Sequence, residues 1–342
     1  QWYDVRGNTI QAHGGWIIFA EGYYWWYGEN RRGNRYVSCY RSADLETWEF
    51  RRDVLTTESR TEAIRHRTDL NLMNAGRKVN IERPKVLFCR QTGKYVMWAH
   101  YENGENYLDA RCCIATCDTP DGDFVYHGSF NPYGYMSRDC TLFQDDDGKA
   151  YFLSAARDNA DLHVYLLSED LLNVKKHVNT LWQGEYREAP AVFKRNRKYY
   201  ILSSYCTGWM PNQGKWAVGS SMEEPFSELR VLEMRRRLIR NRPLFFRWTR
   251  MVVRDTSTGR IAGAMRERSS SSKRKLEIRW TSILDRRISF CRYNLGRRKS
   301  RSSNGRRAFE CEMHRMQGAF RNERQYWSVT LGVIKQGAQV PC

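Results

Sequence analysis

Residues 82–101 read ERPKVLFCRQTGKYVMWAHY, and this stretch decides the fold. It joins two runs of aliphatic and aromatic residues through a short polar turn that contains Gly93. Runs of this length and composition, separated by a tight turn, are typical of two antiparallel β-strands. A carboxylate, Glu82, stands ahead of the first run. The stretch therefore predicts a β-hairpin that opens with an acidic residue.

Three further stretches share this design, at a period of roughly 50 to 70 residues. Each is followed by one or two more strand-like runs, so three or four strands recur in every unit. Such repeats are typical of the blades of a β-propeller, and no long helical period interrupts them. We expect an all-β fold with four recognisable blades; a β-sandwich with look-alike strands is the alternative. The three stretches are QAHGGWIIFAEGYYWWYGEN (11–30), RDCTLFQDDDGKAYFLSAA (138–156) and REAPAVFKRNRKYYILSSY (187–205).

The repeat also predicts a site. If Gln11, Glu82, Asp139 and Glu188 open the innermost strands of successive blades, radial symmetry brings them to one rim of the central channel. Carboxylates that converge there repel one another, which raises the pKa of at least one and suits it to act as a general acid. Glycosidic cleavage needs such an acid and a second group that activates water. The alternative is that the acids form surface ion pairs with their neighbours Arg83, Arg138 and Arg187.

The net charge of +19 is unevenly distributed along the chain. Residues 1–228 carry 28 Lys and Arg against 30 Asp and Glu, whereas residues 229–342 carry 29 against 8. The basic excess therefore belongs to the last third, and we expect no nucleic-acid partner; polyanion binding by a basic tail is a minor alternative. No apolar run is long enough to span a bilayer, so no membrane partner is expected. The ten cysteines show no CxxC spacing, which favours small buried hydrophobes over a zinc site.

Several motifs together resemble one family, the exo-β-1,3-galactanase branch of glycoside hydrolase family 43, in order over nearly all of residues 1–228. The resemblance implies a five-bladed β-propeller and an inverting glycosidase that removes terminal β-galactosyl residues from β-1,3-galactan of the arabinogalactan type. An arabinofuranosidase or xylosidase of the same family, or a non-catalytic carbohydrate-binding propeller, are the alternatives. The motifs are IQAHGG (10–15), YWWYGEN (24–30), ERPKV (82–86), YVMW (95–98), SRDCTLFQDDDGKAY (137–151), YREAP (186–190) and CTGWMPN (206–212).

The resemblance also assigns catalytic roles. Glu188 matches the general acid, and Asp139 matches the residue that tunes and orients that acid. Glu82, the third member of the expected catalytic group, matches a carboxylate that lines the sugar subsite. Where most of the wider family has an Asp base on the first blade, this strand offers Gln11 and His13, as this branch does.

Other residues are expected to bind substrate. Glu29, Tyr107 and Asn159 match positions that hold sugar hydroxyls, and Trp209 is suited to stacking on a pyranose ring, with a blade-core role as its alternative. For His13, a structural hydrogen-bonded role is as well supported as a ligand contact. The turn that contains Trp209 completes the set with Thr207 and Gly208.

The resemblance also bears on partners and location. It implies an oligo- or polysaccharide substrate, a monomer, and a secreted or periplasmic location, and no motif calls for a cofactor or a metal. The chain starts at Gln1 without an initiator Met or a leader, which indicates a processed product, a fragment or a truncated gene product.

The resemblance stops after Glu228, and Arg-rich runs such as MRRRLIRNR (234–242) follow. A basic tail, a disordered linker and translation in the wrong frame are the possible explanations, and we favour the last. Codons for Ile239 to Trp248 can be chosen so that the frame displaced by two bases reads SQSTFVLPV, a typical fifth-blade strand of the family. The Gln that this branch uses to hold water would lie across the codons of Arg240 and Asn241. We expect the chain as written to be poorly soluble or inactive, since it lacks this blade and this Gln.

Overall fold

The computed structural model describes residues 2–65, 67, 69–208 and 210–232, together with the backbone of 327–330, all within one compact unit. Within these residues the regular secondary structure is almost entirely β-strand. The only other regular element there is a single 3-10 turn at Pro132–Gly134. The strands are β1 (His13–Ala20), β2 (Tyr23–Glu29), β3 (Arg35–Ser42), β4 (Glu49–Thr56), β5 (Met73–Asn74), β6 (Arg77–Lys78), β7 (Asn80–Cys89), β8 (Lys94–Glu102), β9 (Arg111–Cys117), β10 (Val125–Phe130), β11 (Cys140–Gln144), β12 (Ala150–Ala156), β13 (Asp161–Leu167), β14 (Val174–Leu181), β15 (Arg187–Arg195), β16 (Lys198–Tyr205), β17 (Lys215–Gly219), β18 (Arg230–Val231) and β19 (Trp327–Thr330).

Four antiparallel sheets follow one another along the chain, and each pairs its strands in sequence order. They consist of β1–β4, β7–β10, β11–β14 and β15–β18, and β19 pairs with the free side of β1. This confirms the all-β prediction and the four-bladed propeller arrangement. The fifth blade and the Arg-rich segment expected from residue 229 lie outside the described residues, apart from 229–232 and β19. None of the described segments forms a helix with the length and apolar character that a bilayer crossing requires.

Aromatic side chains pack the blades against one another. Trp98 of the second blade is fully buried, with its ring centroid 4.7 Å from that of Phe152 in the third blade. Its indole N–H donates to the carbonyl of Leu171 at 2.8 Å, so the polar edge of the ring is also satisfied. In the first blade, the buried Tyr27 donates to the carbonyl of Pro120 at 2.7 Å. Each large apolar side chain buried in this way contributes about 1.5–3 kcal/mol, which explains why every unit is rich in aromatic residues.

The inner strands of three blades share one irregularity, because the pairing of each shifts register near the start of the strand. The shifts fall at His13–Trp16 in β1, Glu82–Lys85 in β7 and Glu188–Ala191 in β15. A β-bulge adds a residue to one strand and redirects the side chains beside it. The same device thus places His13, Glu82 and Glu188 at equivalent positions at one end of the inner strands.

The residue after each of these positions has a positive φ, at 60° for Gly14, 54° for Arg83 and 49° for Ala189. Glycine adopts this conformation freely, whereas Arg and Ala are strained there by about 1–3 kcal/mol. Two amide groups at the bulges find acceptors outside the sheet. The N–H of Arg83 donates to Glu29 Oε1 at 2.9 Å, and the N–H of Ala189 donates to Asp139 Oδ2 at 3.0 Å. These hydrogen bonds to carboxylates offset part of the strain.

In the first blade, the residue equivalent to Glu82 and Glu188 is not the expected one. His13, and not Gln11, holds the position of Glu82 and Glu188, because the register shift of β1 begins at His13 as those of β7 and β15 begin at Glu82 and Glu188. Gln11 lies two residues before β1, where its backbone N–H donates to Tyr40 Oη at 2.8 Å and its side-chain amide to the carbonyl of Thr9 at 3.3 Å. The expectation that Gln11 opens the inner strand is therefore wrong.

Candidate active site

Four buried carboxylates from four blades are joined by hydrogen bonds and ion pairs at the end of the inner strands where the bulges lie. The connecting groups are the guanidinium groups of Arg31 and Arg83 and the backbone amides of the bulges. The three acids predicted to converge, together with one from the end of β2, thus belong to a single network. These carboxylates are Glu29, Glu82, Asp139 and Glu188.

Glu29 connects the first blade to the second. Its Oε1 accepts the N–H of Arg83 and lies 3.4 Å from His13 Nδ1, and its Oε2 lies 3.2 Å from Arg31 Nη2. Burial acts to raise the pKa of Glu29, but the hydrogen bond with His13 and the charge of Arg31 outweigh it, so the pKa lies below its usual value. Glu29 is therefore an ionised acceptor. A Cβ on Gly14 would lie 2.7 Å from Glu29 Oε1, so the bulge needs a glycine there.

Glu82 is held from three sides. Its Oε1 accepts from Arg31 Nη2 at 2.6 Å and from Tyr107 Oη at 2.6 Å, and its Oε2 lies 3.6 Å from His100 Nδ1. Burial acts to raise the pKa of Glu82, yet His100, Arg31 and Tyr107 together hold it well below its usual value. The geometry makes Glu82 a fixed negative acceptor, which suits a sugar-binding carboxylate better than a proton donor.

Asp139 connects the third blade to both of its neighbours. Its two oxygens receive Arg83 Nε at 3.1 Å and Nη2 at 2.8 Å from the second blade. One of them also accepts the N–H of Ala189, the residue after Glu188, from the fourth blade. Burial acts to lower the pKa of Arg83, but the charges of Asp139 and Glu29 raise it above its usual value, so this guanidinium stays charged. Asp139 thus fixes the peptide that carries Glu188.

Glu188 lies at the start of β15 and is buried. Its Oε1 accepts the amide of Asn159 at 3.3 Å, and the same Nδ2 lies 3.3 Å from Cys206 Sγ. Asn159 is a neutral donor, and the carboxylate of Glu188 also interacts electrostatically with the guanidinium group of Arg83. Glu188 is thus a buried carboxyl group at the start of an inner strand, where a general acid is expected.

The alternative of three surface ion pairs does not describe this arrangement. Arg83 pairs with Asp139 of the next blade, and both side chains are buried. Arg187 is buried and donates to the side chain and the carbonyl of Ser203. Only Arg138 forms a bridge near the surface, to Asp158, and not to the acid beside it in the sequence.

The weaker candidates divide into two groups. Tyr107 and Asn159 contact the network through Glu82 and Glu188. Thr207, by contrast, uses its hydroxyl within its own turn, where it donates to the carbonyl of Met210 at 2.7 Å and accepts from Asn212 at 2.8 Å. Gly208 lies in the same exposed turn with φ +61°. Trp209 lies outside the described residues. The sugar-binding roles of all these residues stay predictions.

Sequence reasoning missed three residues of the network. Arg31 follows the YWWYGEN motif, and Arg83 lies within ERP, where it was considered only as a surface partner. His100 is the register partner of Glu82 across the hairpin. A usable signal existed: a charged or ionisable side chain inside an otherwise apolar strand is rarely buried unless it has a partner.

Loss of the Arg83 charge should destabilise the propeller strongly. Arg83→Met removes the cation between Glu29 and Asp139 and leaves two buried carboxylates without it, which costs about 3 kcal/mol or more. Urea unfolding followed by tryptophan fluorescence measures this loss. Arg52→Met, which removes a bridge from the exposed Arg52 to the exposed Asp123, is the control and should cost at most about 1 kcal/mol. Equal effects of the two changes would contradict the bridging role of Arg83.

The chemistry of the network is that of acid and base groups. Among the described residues, no group of three or more His, Cys, Asp or Glu side chains is arranged to hold a metal ion. What the network offers is a set of buried carboxyl groups from four blades, of which Glu29 and Glu82 are held ionised by their neighbours. Neighbouring carboxyl groups in different surroundings can divide the roles of proton donor and charge stabiliser between them.

Comparison with known proteins agrees with this chemistry. The model of the glycosyl hydrolases family 43 matches residues 13–237. Among solved structures, an exo-β-1,3-galactanase from Clostridium thermocellum shares 45% identity over 68% of this chain and 50% of its own, with a TM-score of 0.61. The exo-β-1,3-galactanase from Phanerochaete chrysosporium, solved with β-1,3-galactotriose and with galactose, shares 36% identity over 67% of this chain and 52% of its own; the TM-score with galactose is 0.60.

This chain covers a larger share of a third solved structure. That structure is described as a putative exo-β-1,3-galactanase from Bifidobacterium bifidum and shares 32% identity over 67% of this chain and 74% of its own, with a TM-score of 0.59. No curated protein matched the chain. The chain spans about half the length of the first relatives of known structure that it matches.

Proposed function

The chain belongs to glycosyl hydrolase family 43, and from that premise we propose that it is an inverting exo-glycosidase that removes terminal β-galactosyl residues from β-1,3-galactan. The contacts of Asp139 carry the proposal. This carboxylate binds Arg83 of one neighbouring blade and the amide of Ala189 in the other, so it fixes the strand start that holds Glu188. A general acid must be held in this way, within reach of the leaving oxygen.

In this mechanism Glu188 donates its proton to the glycosidic oxygen as the bond to the anomeric carbon breaks. Asp139 stabilises the site around the acid and sets its orientation through the peptide of Ala189. Glu82 and Glu29, both ionised, accept hydrogen bonds from sugar hydroxyls, and Tyr107 and Asn159 complete this lining. A water molecule attacks the anomeric carbon from the opposite face, which inverts its configuration. The attacking water releases its extra proton to solvent, and Glu188 takes up a proton from solvent before the next turnover.

The proposal includes a fifth blade that the chain as written does not encode in its present frame. The family match ends at residue 237, close to the change in composition after Glu228. The codons of Ile239 to Trp248 can be chosen so that the displaced frame encodes a strand with a Gln that would hold the attacking water. We therefore propose that the gene encodes a complete propeller whose last part is read out of frame here.

The relatives favour galactan over other substrates of the family. Three of the similar structures are described as exo-β-1,3-galactanases, at 32–45% identity. An arabinofuranosidase or xylosidase activity has no comparable support among them. A secreted or periplasmic location, which the family resemblance implies, and a monomeric state complete the proposal.

The galactose released from methyl β-1,3-galactobioside, whose reducing end is blocked and therefore gives no free galactose, tests the proposed reaction. We expect galactose to appear first as the α-anomer, because a single displacement at the β-linked carbon inverts it. Proton NMR of the anomeric region in the first minutes distinguishes α- from β-galactose before mutarotation mixes them. The frame-restored protein described in the Discussion is the form to test, together with matched arabinoside and xyloside substrates. First appearance of β-galactose, or faster release from arabinosides or xylosides, would overturn the proposed reaction.

A further inference from the structure

A buried His–Glu pair, His100 and Glu102, lies on β8 directly behind Glu82. His100 Nε2 lies 2.8 Å from Glu102 Oε1, and its Nδ1 lies 3.6 Å from Glu82 Oε2. Both side chains are inaccessible, with His100 2% and Glu102 0% exposed. The second oxygen of Glu102 accepts the N–H of Ala110 at 2.8 Å. The imidazole is therefore placed between two carboxylates, one of which faces the sugar site.

The groups around His100 favour its charged form. Glu82 faces His100 from β7, and Glu102 faces it from β8. The ring centroid of Tyr107, in the adjoining loop, lies 6.0 Å from that of His100. Its register partner on β9 is Cys112, whose thiol stays neutral because burial raises its pKa. Burial acts to lower the pKa of His100, but the carboxylates of Glu102 and Glu82 outweigh it and raise the pKa to about 9.

A second histidine of the same blade shows the contrast. His127 of β10 is also buried, but its ring nitrogens contact the hydroxyl of Thr116 at 2.7 Å and the carbonyl of Glu62 at 2.8 Å. Burial lowers the pKa of His127, as expected for a histidine whose role is structural. Two buried carboxylates beside His100 are costly unless a cation compensates them, so its surroundings require a charge that those of His127 do not.

We propose that His100, held by Glu102, is a positioning residue that keeps Glu82 ionised and oriented as an acceptor for the sugar hydroxyls. The proposal rests on the proposed function for the identity of the ligand. Two residues behind the site thereby gain a role. Glu102 holds the imidazole of His100 and favours its protonated form, and His100 holds the carboxylate of Glu82. Arg31 and Tyr107 hold the other oxygen of Glu82, so both ends of the carboxylate are constrained.

The arrangement has a defined pH dependence. A pKa raised above that of the unfolded chain means that the contribution of His100 is complete below about pH 6.5 and is lost as the pH rises through about 9. Galactose affinity should therefore be level around neutral pH and fall as His100 loses its proton. Arg31 stays charged throughout this range, because the carboxylates of Glu29 and Glu82 outweigh its burial and raise its pKa further.

NMR titration of the frame-restored protein without sugar tests whether Glu102 keeps His100 charged and whether His100 keeps Glu82 ionised. We expect His100 to titrate near pH 9, and Glu102→Gln to lower that pKa by roughly one unit or more. The pKa of the Glu82 carboxyl should rise in Glu102→Gln and in His100→Gln, and stay unchanged in the control His127→Gln. Glu102→Gln keeps the shape of the side chain, so it answers the question if His100→Gln fails to fold. Titration of His100 near pH 6.5, or an unchanged Glu82 in both variants, overturns the inference.

Galactose binding, measured by calorimetry at pH 7, tests the consequence for the ligand. The affinity should fall about tenfold in Glu102→Gln, the size of one charge-assisted hydrogen bond, and should not change in His127→Gln. Equal losses in both variants would show a structural effect only and overturn the positioning role. If the frame-restored parent protein binds no galactose, the proposed function fails, while the sugar-free titrations still decide whether His100 controls Glu82.

Discussion

Glu188→Gln should reduce galactose release from β-1,3-galactobiose by a factor of roughly 10² to 10⁴, the usual contribution of a positioned general acid. Gln keeps the size of the side chain and can retain a contact with the amide of Asn159, but it has no proton to give to the leaving oxygen. Galactose affinity should stay within a few-fold of the parent. Initial rates and calorimetric binding measure the two quantities. Both are determined in the frame-restored protein, with and without the substitution.

Glu185→Gln is the matched control for this change. Glu185 lies three residues earlier, where it forms a half-exposed ion pair with Lys215 at 3.3 Å, away from the carboxylate network. Its loss should leave the rate unchanged. If Glu188→Gln kept the parental rate, Glu188 would not be the acid. If Glu188→Gln lost rate and sugar affinity together, the loss would favour a carboxylate that only binds, as in a carbohydrate-binding propeller.

Restoring the reading frame should raise the rate of galactose release by roughly 10² to 10⁴, because it supplies the group that holds the attacking water. Insertion of one base just before codon 233 gives the displaced frame, which we propose reads SQSTFVLPV across Ile239 to Trp248. The restored protein should also be more soluble, since a complete propeller covers sheet edges and apolar blade surface. Galactose release and the soluble fraction of the two proteins, expressed side by side, are the measurements.

The same insertion placed after codon 265 is the control for the frame change. It leaves the expected fifth-blade strand unread and should give no gain in activity. The nucleotide sequence of codons 225–265 provides an independent test, since it either contains the displaced reading or does not. An equal rate for the original and restored chains would show that the water-holding group of this protein lies elsewhere.

Much of the site was predictable from sequence because it depends on local pattern. Glu82 and Glu188 could be aligned by their place ahead of apolar runs, and the structure puts both at the same bulge of their strands. The bulge itself was not predictable at the first blade, where two glycines made Gln11 look equivalent to the acids. A strand irregularity changes which side chain faces the channel without changing the composition that identifies the strand.

The sequence pattern also could not predict which residues of different blades contact one another. Arg83 appeared to be a neighbour of Glu82 in a surface pair, yet it contacts Glu29 and Asp139, which lie more than fifty residues away along the chain. His100 appeared to be part of an apolar strand, yet it lies between Glu82 and Glu102. Such contacts depend on how the sheets pack, and the local periodicity of the sequence does not show which distant residues the packing brings together.

The sequence by itself therefore determined the strands, the four-fold repeat of the blades, the family and the acids that open three of the inner strands. Strand periodicity and the chemistry of those residues are local properties, so they can be read along the chain. Only the tertiary structure decided that His13 replaces Gln11 in the first blade, that Arg83 bridges three blades and that Glu82 has a buried His–Glu pair behind it. Those outcomes follow from burial, because a charge removed from water must find its partner among whatever groups the packing of the sheets brings near.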